Sequence, residues 1–185
     1  MTADLSSPPA STVPVGEIRL MPRRVDHRDS TALLRAFHRE QIDRYDFAES
    51  IDLTSTEYAS PQGIFVVVYD GEQPVGCGGC RWHDRRTATV EIKKTYLLPA
   101  LRGRGAGRLL LQWLEDQAIG WGAEQIILET GVRNTAALGL FVRSGYRPTS
   151  GYVPGRDPAI NRAFVKSLAG PDPRLGEDAR QAIVG

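Results

Sequence analysis

Four segments in the first hundred residues have the hydrophobic pattern of β-strands, and one has the pattern of a helix. The predicted strands are residues 17–21, 64–69, 74–82 and 87–98. They either alternate apolar with polar residues or are rich in β-branched and aromatic side chains. Asp70-Gly71 is a hairpin-type turn between the second and third strands, and Pro99 ends the fourth. Residues 29–45 instead place apolar residues at helical spacing, which predicts a helix.

After residue 99 the pattern changes to helices that alternate with short strands. Residues 109–119 predict a helix, with its apolar side chains on one face. Residues 125–130 predict a short strand, and residues 164–168, with Tyr152 before them, supply material for the last strand. A second helix is predicted from an N-cap at Asn134 through residue 143. Strands with helices packed on them predict an α/β or α+β fold around a central sheet.

The two ends of the chain differ in composition from its middle. Residues 1–15 are rich in Ser, Thr and Pro and predict a disordered leader, whereas residues 170–185 predict a flexible tail or a short helix. Residues 16–169 are therefore predicted to form one domain. The chain has 185 residues, of which 41% are hydrophobic, and this is enough to bury a sizeable core.

Charge and hydropathy argue against several classes of function. Charged residues make up 24% of the chain and the formal net charge is +1, so the protein has no general attraction to nucleic acid or membranes. No apolar run approaches the roughly 20 residues that cross a bilayer, and the N-terminal residues lack the basic and apolar regions of a signal peptide. We therefore expect a soluble cytoplasmic protein without a nucleic-acid or membrane partner.

Cys77 and Cys80 are the only cysteines in the sequence, which is typical of a reducing compartment. Their spacing suggests a redox or metal site, but residues three apart in a strand point to opposite faces of the sheet. No second pair of Cys or His residues completes a zinc site. We expect both thiols to contribute to strand packing, and we expect no bound metal.

The loop after residue 98 carries the clearest chemical signal. A predicted strand runs into a loop with glycines at alternate positions, and a helix follows directly. Glycine lets backbone N–H groups approach a ligand, while a helix N-terminus adds unpaired donors and a partial positive charge. Three arginines add full charges, so the segment suits a pyrophosphate. The residues predicted to hold it are Arg102, Gly103, Arg104, Gly105, Ala106, Gly107 and Arg108.

Two other phosphate-binding loops fit this segment poorly. Gly103, Gly105 and Gly107 do not form the G-x-G-x-x-G of dinucleotide-binding folds, and no strand after the helix supplies the ribose-binding acid. A P-loop would require a following Gly-Lys-Ser/Thr, which is absent from the sequence. A dinucleotide-binding oxidoreductase is therefore the weakest functional hypothesis.

The loop resembles the acyl-CoA signature of the GNAT acetyltransferases, Gln/Arg-x-x-Gly-x-Gly/Ala, which Arg102, Gly105 and Gly107 match. The resemblance extends over residues 63–152, which include the strand before the loop and the strand and helix after it. It implies the α+β GNAT fold, with a mixed, mostly antiparallel sheet flanked by helices and two splayed strands that bind acyl-CoA. It also implies acetyl-CoA as the cosubstrate.

The resemblance implies which residues contact acetyl-CoA. The backbone of Tyr96, Leu97 and Leu98 is expected to contact the pantetheine arm, and an N–H group near Leu97 to polarise the thioester carbonyl. The N–H groups of residues 104–108 are expected to hold the pyrophosphate. Asn134 is expected either to cap its helix or to contact the cofactor.

Direct attack by a neutral amine in a ternary complex requires a group that first removes a proton from the ammonium ion. Glu91 is the first candidate, because it lies eleven positions before Arg102, where the resemblance implies a basic glutamate. The alternative for Glu91 is an ion pair with Lys93 or an arginine, or a role in orienting the substrate. His83, in the turn before this strand, is the second candidate.

Phe141 stands where the resemblance implies a tyrosine that protonates the leaving thiolate. We expect Phe141 to pack along the pantetheine arm instead. Tyr146 and Tyr152 are then the candidate proton donors, unless the thiolate leaves unassisted or takes a proton from water.

The acceptor is expected to be a primary amine of a small molecule, an amino acid or a peptide. Tyr45, Asp46, Phe47 and Glu49 are candidates for the acceptor site, because the resemblance places the first helix and its following loop beside that site. The alternative function is a catalytically silent acyl-CoA-binding or regulatory domain. The sequence leaves the oligomeric state open, with a homodimer among the options.

Overall fold

Helices and strands follow one another nearly as the hydrophobic pattern predicts. A computed structural model describes residues 17–54 and 56–168, in which seven strands, three α-helices and a short 3-10 turn occur. In chain order they are β1 (Ile18–Pro22), α1 (Arg28–Tyr45), β2 (Gly63–Asp70), β3 (Gln73–Asp84), β4 (Thr89–Leu97), the 3-10 turn (Pro99–Leu101), α2 (Ala106–Gly120), β5 (Gln125–Gly131), α3 (Thr135–Arg143), β6 (Arg147–Thr149) and β7 (Asn161–Ser167). The predicted leader and tail, residues 1–15 and 170–185, lie outside the described residues.

All seven strands belong to one sheet, with the spatial order β1-β2-β3-β4-β5-β7-β6. Every neighbouring pair is antiparallel except β4 and β5, which are parallel and are connected through α2. This mixed, mostly antiparallel sheet with flanking helices confirms the expected α+β fold class.

The sheet is buried on both faces, because successive strand residues point to opposite sides. In β2, Val66 and Val68 belong to the core beneath α2 and α3, whereas Phe65 and Val67 belong to the core beneath α1. All four side chains are at most 1% exposed. A strand buried on both faces explains why β2 is a continuous apolar run in the sequence rather than an alternating one.

Cys77 and Cys80 lie on opposite faces of β3, one in each core, which confirms that they contribute to strand packing. Burial raises the pKa of both thiols, to about 12 for Cys80. Neither sulfur is therefore a thiolate at neutral pH. Within residues 17–54 and 56–168, no group of three or more His, Cys, Asp or Glu side chains is arranged to hold a metal ion. No helix in the same residues is long and apolar enough to span a membrane.

Strand β4 contains a bulge and then separates from β5. The register between β3 and β4 shifts between Cys77 and Gly79, and on the β4 side Lys94 has a φ of 59°. β4 pairs with β5 only as far as Ile92 and Leu128. The edge of β4 beyond Ile92 is consequently free of a strand partner on the β5 side, and the sheet opens there. The splayed pair of strands matches the expectation from the resemblance.

Three local predictions differ from the structure. Helix α2 begins at Ala106 rather than at residue 109, because Gly105, with a φ of 86°, serves as its N-cap. Strand β6 was not predicted, since all three of its residues are exposed and carry no hydrophobic pattern. Tyr152 lies in the loop between β6 and β7 rather than in a strand.

Candidate active site

The glycine loop between β4 and α2 presents its backbone to open space. Gly103 and Gly105 have φ values of 76° and 86°, and a Cβ added at either position would meet no atom within 4 Å. Gly105 caps α2 without any side-chain hydrogen bond. The N–H groups of Arg108 and Leu109 already donate to the Gly105 carbonyl oxygen at 3.0 and 3.2 Å. Ala106 and Gly107, the first two residues of α2, have no acceptor within the helix, so their N–H groups are available to an anionic ligand.

A cleft of about 500 Å³ runs from this loop between α1, β4, α2 and α3, and we call it the long cleft. Most of the residues predicted to contact the cofactor line it, namely Tyr96, Leu97, Arg102, Gly103, Gly105, Gly107, Arg108, Asn134 and Phe141. Three further arginines, Arg44, Arg133 and Arg143, line it as well, against one carboxylate, Glu40. This excess of positive charge suits a ligand with several phosphates.

Three of the predicted contact residues do not line the long cleft. The N–H group of Leu98 donates to the Val75 carbonyl oxygen at 2.8 Å, and its carbonyl oxygen accepts from the N–H group of Leu101 at 3.0 Å. Both backbone groups of Leu98 therefore have partners within the protein, and the expected contact with pantetheine stays a prediction for this residue. Arg104 is exposed beside the cleft, and the side chain of Ala106 is buried in the core.

Arg102 joins the glycine loop to the two elements that face it. Its Nε and Nη2 atoms donate to the carbonyl oxygen of Leu97 at 3.0 and 2.8 Å. Its Nη2 atom also donates to Glu40 of α1, and its guanidinium carbon lies 5.6 Å from the centre of the Tyr96 ring. The carbonyl oxygen of Leu97, part of the backbone that was expected to contact pantetheine, therefore already accepts hydrogen bonds from Arg102.

Asn134 has the capping role that the sequence left open, and its contact with the cofactor stays a prediction. Its side-chain oxygen accepts a hydrogen bond from the N–H group of Ala137 at 3.3 Å, so it caps α3. It also lines the long cleft. Capping fixes the direction of the side chain at the start of α3 and leaves its amide at the edge of the cleft.

A smaller cavity of about 100 Å³, which we call the side pocket, lies where β4 and β5 separate. Phe37 lines both the side pocket and the long cleft, so the two cavities adjoin. Of the acceptor-site candidates, Tyr45, Phe47 and Glu49 line the side pocket. Asp46 does not, because it is the exposed C-cap of α1 with a φ of 63°.

Glu91 lies in the side pocket and is 2% exposed. Its Oε2 atom accepts hydrogen bonds from Nε and Nη2 of Arg81 at 3.0 and 2.9 Å. Its Oε1 atom accepts one from the hydroxyl of Tyr152 at 3.0 Å and lies 3.7 Å from Nζ of Lys93. Both carboxylate oxygens are therefore engaged by protein groups, and the ion pair with an arginine that the sequence offered as the alternative is present.

Comparison with known proteins identifies the family. The family model described as the acetyltransferase (GNAT) family matches residues 30–146. The chain belongs to the GNAT acetyltransferase family. An IAA acetyltransferase from Azospirillum brasilense is 34% identical over 125 residues, which cover 64% of this chain and 81% of that relative.

Solved structures of GNAT proteins share the fold. An acetyltransferase of the GNAT family from Staphylococcus aureus Mu50 superposes with a TM-score of 0.69 at 19% identity, covering 83% of this chain and all of the other. A GNAT family acetyltransferase from Elizabethkingia anophelis with acetyl-CoA bound superposes with a TM-score of 0.58 at 21% identity, covering 82% and 98% of the two chains. The protein is an acyltransferase, and acetyl-CoA is its cosubstrate.

In this GNAT acetyltransferase Phe141 and Tyr146 belong to the core rather than to a proton-transfer site. Phe141 is 3% exposed and packs against Tyr146 and Phe164, with ring centres 5.8 and 6.0 Å apart. Tyr146 is 2% exposed and lines neither cavity. Burial raises the pKa of Tyr146 far above that of an ordinary tyrosine. The expectation that Tyr146 protonates the leaving thiolate does not fit this position.

Neither Tyr152 nor His83 lines the side pocket of the acetyltransferase, but Tyr152 contacts Glu91, which does. The Tyr152 hydroxyl donates to Glu91, and burial and the Glu91 carboxylate raise the pKa of Tyr152 well above its ordinary value. Tyr152 is therefore protonated at neutral pH. His83 is exposed, lies edge-on to the Tyr152 ring at 5.4 Å between centres, and does not line the side pocket. The geometry does not favour His83 as the base.

Sequence analysis missed Glu129, a second carboxylate in the side pocket of the acetyltransferase. It lies on β5, two residues after Ile127, which is the register partner of Glu91, so both carboxylates are on the same face of the sheet. Burial raises the pKa of Glu129, the Glu91 charge raises it further, and Lys93 and the backbone of Tyr152 lower it. The one available signal was a glutamate within an otherwise apolar strand.

Three basic side chains complete the side pocket of the acetyltransferase, and two of them are paired with Glu49. Arg156, from the loop before β7, forms an ion pair with Glu49, and Lys94 lies 3.4 Å from the same carboxylate. Burial lowers the pKa of Lys94, and the charge of Lys93 lowers it further. Arg156 was missed because nothing in the sequence of its loop indicates that it folds back onto the end of α1.

Proposed function

We propose that this acetyltransferase moves the acetyl group of acetyl-CoA to the primary amine of a small molecule or peptide. The amine attacks the thioester directly while both substrates are bound. The observation that carries the proposal is the adjacency of two cavities of different character. The long cleft offers backbone N–H groups and arginines, whereas the adjoining side pocket contains carboxylates and aromatic rings.

The long cleft supports the binding of the phosphates and the pantetheine arm. The free N–H groups at the start of α2 would receive the pyrophosphate, with Arg108 beside them. The free edge of β4 beyond Ile92 would receive the amide-containing arm much as it would receive another strand. The reacting end of the arm would then lie near the opening between β4 and β5, next to the side pocket.

The size and charge of the side pocket support an amine acceptor. A volume of about 100 Å³ holds an ammonium group and a few carbon atoms, and no more. The carboxylates Glu49, Glu91 and Glu129 are matched in number by Lys93, Lys94 and Arg156, but Glu129 lies 3.6 Å from Arg156 and is not held by a close ion pair. The rings of Phe37 and Phe47 provide apolar and cation-binding surface. The bulk of a larger acceptor, such as a peptide, would remain outside the pocket.

A protein that transfers an acetyl group to amines must also move two protons. An ammonium group of pKa near 10 loses one proton before it attacks and a second after it has attacked. The side pocket holds carboxylates that can take the first. Tyr152 is the proposed donor to the leaving thiolate, because its hydroxyl contacts Glu91, a residue that lines the side pocket.

The experiment is an assay of thiol release from acetyl-CoA with a panel of primary amines that differ in size and charge. We expect release that depends on the amine and saturates with both substrates, with initial rates that fit a ternary complex. An acetylated amine should accumulate in equal amount, as measured by mass spectrometry. Transfer to the protein itself in the absence of amine would contradict direct attack.

A matched measurement separates transfer from binding alone. Acetyl-CoA should raise the Tm of the protein, as any ligand specific for the native state does. A raised Tm without thiol release for any amine in the panel would support the alternative, a catalytically silent acyl-CoA-binding domain. Absence of both effects would contradict both functions.

A further inference from the structure

We propose that Glu129 is the group that takes the proton from the acceptor ammonium, and that Glu91 is a positioning residue. The proposal rests on the proposed transfer to an amine and assigns a role to a residue on β5. Two observations support it: the hydrogen bonds of the two carboxylates, and their positions along the strands relative to the point where β4 and β5 separate.

The contacts of Glu91 already satisfy its charge. Two hydrogen bonds from Arg81 reach Oε2, and one from Tyr152 reaches Oε1. Because three donors occupy its two oxygens and the side chain is only 2% exposed, Glu91 offers the ammonium group of an acceptor no readily accessible oxygen. The arrangement suits a group that holds Tyr152 and the wall of the pocket in place.

The side-chain contacts of Glu129 are looser, although the backbone of Tyr152 hydrogen-bonds to its carboxylate. Its Oε2 atom lies 3.6 Å from Nε of Arg156, beyond a good hydrogen bond. Its side chain is 12% exposed and lines the side pocket. The titratable or charged groups around it are Tyr45 and Glu49 on the α1 side, Glu91, Lys93 and Lys94 on β4, and Tyr152 and Arg156 in the loop before β7. The raised pKa of Glu129 is consistent with a carboxylate that accepts a proton readily.

The register of the sheet places Glu129 nearer to the reacting centre than Glu91. The last pair between β4 and β5 joins Ile92 to Leu128, so Glu91 lies before the point where the strands separate and Glu129 lies after it. A thioester that enters between the separated strands would approach the part of β5 beyond Leu128. A carboxylate on that part of β5 can reach an amine that attacks the thioester.

The ammonium group transfers one proton to the Glu129 carboxylate and becomes a neutral amine with a free electron pair. The nitrogen then forms a bond to the thioester carbon, and the carbon–sulfur bond breaks with its electron pair on sulfur. Tyr152 gives its proton to the thiolate, which leaves as a thiol, and the second proton of the nitrogen restores the Tyr152 hydroxyl. Glu129 later releases its proton to solvent.

The test compares Glu129→Gln with Glu91→Gln on two acceptors accepted by the wild-type enzyme. One is an alkylamine that is protonated at pH 7, and the other is a fluorinated alkylamine that is already neutral there. Because only the protonated amine needs a base, we expect Glu129→Gln to lower kcat/KM by about 100-fold or more for the alkylamine near neutral pH. The loss should shrink for the fluorinated amine and at high pH. Glu124→Gln, an exposed position just before β5, is the matched control.

Glu91→Gln should lower kcat/KM by a similar factor for both amines and leave the slope of the pH profile unchanged. The proposal is overturned if Glu129→Gln keeps the wild-type pH profile and the wild-type ratio of kcat/KM between the two amines. It is also overturned if Glu91→Gln, and not Glu129→Gln, loses kcat/KM mainly for the protonated amine near neutral pH. A wild-type protein that releases no thiol with any amine would remove the proposed function, and this inference with it. Acetyl-CoA binding, measured by the shift in Tm, should be nearly unchanged in both variants.

Discussion

Glu40 on α1 and Arg102 in the glycine loop are 62 positions apart in the chain, and their side chains form an ion pair in the long cleft. Glu40 also forms an ion pair with Arg44, one turn along the same helix, at 2.6 Å. One carboxylate therefore joins two of the arginines in the cavity that we propose binds the phosphates. The charge of Glu40 has the same sign as those phosphates.

The first prediction follows from this repulsion. Glu40→Gln should tighten acetyl-CoA binding about two- to fivefold, because it removes a partly screened negative charge and frees two arginines. The gain should shrink as salt is raised, since the interaction is electrostatic. Calorimetric titration at two ionic strengths measures both effects. Glu72→Gln, which changes an exposed glutamate paired with Arg19, is the control. Weaker binding in Glu40→Gln would mean that Glu40 is needed to hold Arg102 in place.

The second prediction concerns the glycine loop. Gly105→Val should abolish the rise in Tm that acetyl-CoA produces, because a branched side chain would lie over the free N–H groups at the start of α2. Gly122→Val is the matched control. Gly122 follows the other end of α2 with a φ of 80° and equally open space, so its substitution brings similar backbone strain away from the cleft. An acetyl-CoA response that survives in a folded Gly105→Val variant would exclude the phosphate-binding role of the loop.

The cofactor loop could be predicted because its chemistry is local in the chain. The strand, the alternating glycines and the helix follow one another within residues 89–120, so spacing alone indicates where the backbone donors lie. The start of α2 was placed three residues late, since Ala106, Gly107 and Arg108 have no apolar periodicity. The ion pair of Arg102 with Glu40 depends on the packing of α1 against the loop, and the local spacing of residues carries no information about that packing.

The side pocket could be predicted only in part, because distant segments build it. Glu91 was recognised through its distance from Arg102, but its contact with Tyr152 joins residues 61 positions apart, and Tyr152 belongs to a loop without regular pattern. Glu129 lies opposite β4 only because β4 and β5 are parallel neighbours. Parallel pairing of strands separated by a helix is a property of the whole topology, and no single segment determines it.

The third prediction concerns the buried pair of Arg81 and Glu91. Arg81→Met should lower the free energy of unfolding by about 3–5 kcal/mol, because it leaves a buried carboxylate without its main partner. The double variant Arg81→Met with Glu91→Gln should recover much of that loss, since the uncompensated charge is gone. Chemical denaturation of the two variants and of Glu91→Gln alone forms a double-mutant cycle. Additive losses would show that the two residues do not interact energetically.

The fourth prediction separates the two tyrosines. Tyr146→Phe should leave the rate of thiol release unchanged, because Tyr146 lines neither the long cleft nor the side pocket. The variant should lose a little stability, because the Tyr146 hydroxyl interacts with the Glu115 carboxylate, which raises the pKa of Tyr146. Tyr152→Phe should slow single-turnover transfer, since it removes the proposed donor and one hydrogen bond to Glu91. Phe141→Tyr should add no rate, because Phe141 is packed between two aromatic rings. A large loss of rate in Tyr146→Phe would instead indicate that Tyr146 protonates the leaving thiolate.

The last prediction tests the environment of Glu129 without any substrate. Burial and the charge of Glu91 raise the pKa of Glu129 above the ordinary 4.5, so ionisation is easier in the unfolded chain than in the folded one. Below the ordinary pKa the side chain is protonated in both states, and its charge has no effect on stability. As pH rises through the folded pKa, the wild type should therefore lose stability relative to Glu129→Gln, and the difference should then remain constant. Melting curves at a series of pH values measure it, with the exposed Glu124→Gln as the control. If the wild type instead becomes more stable relative to the variant as pH rises, Arg156 holds the Glu129 carboxylate in its charged form. Glu129 would then be unsuited to accept a proton.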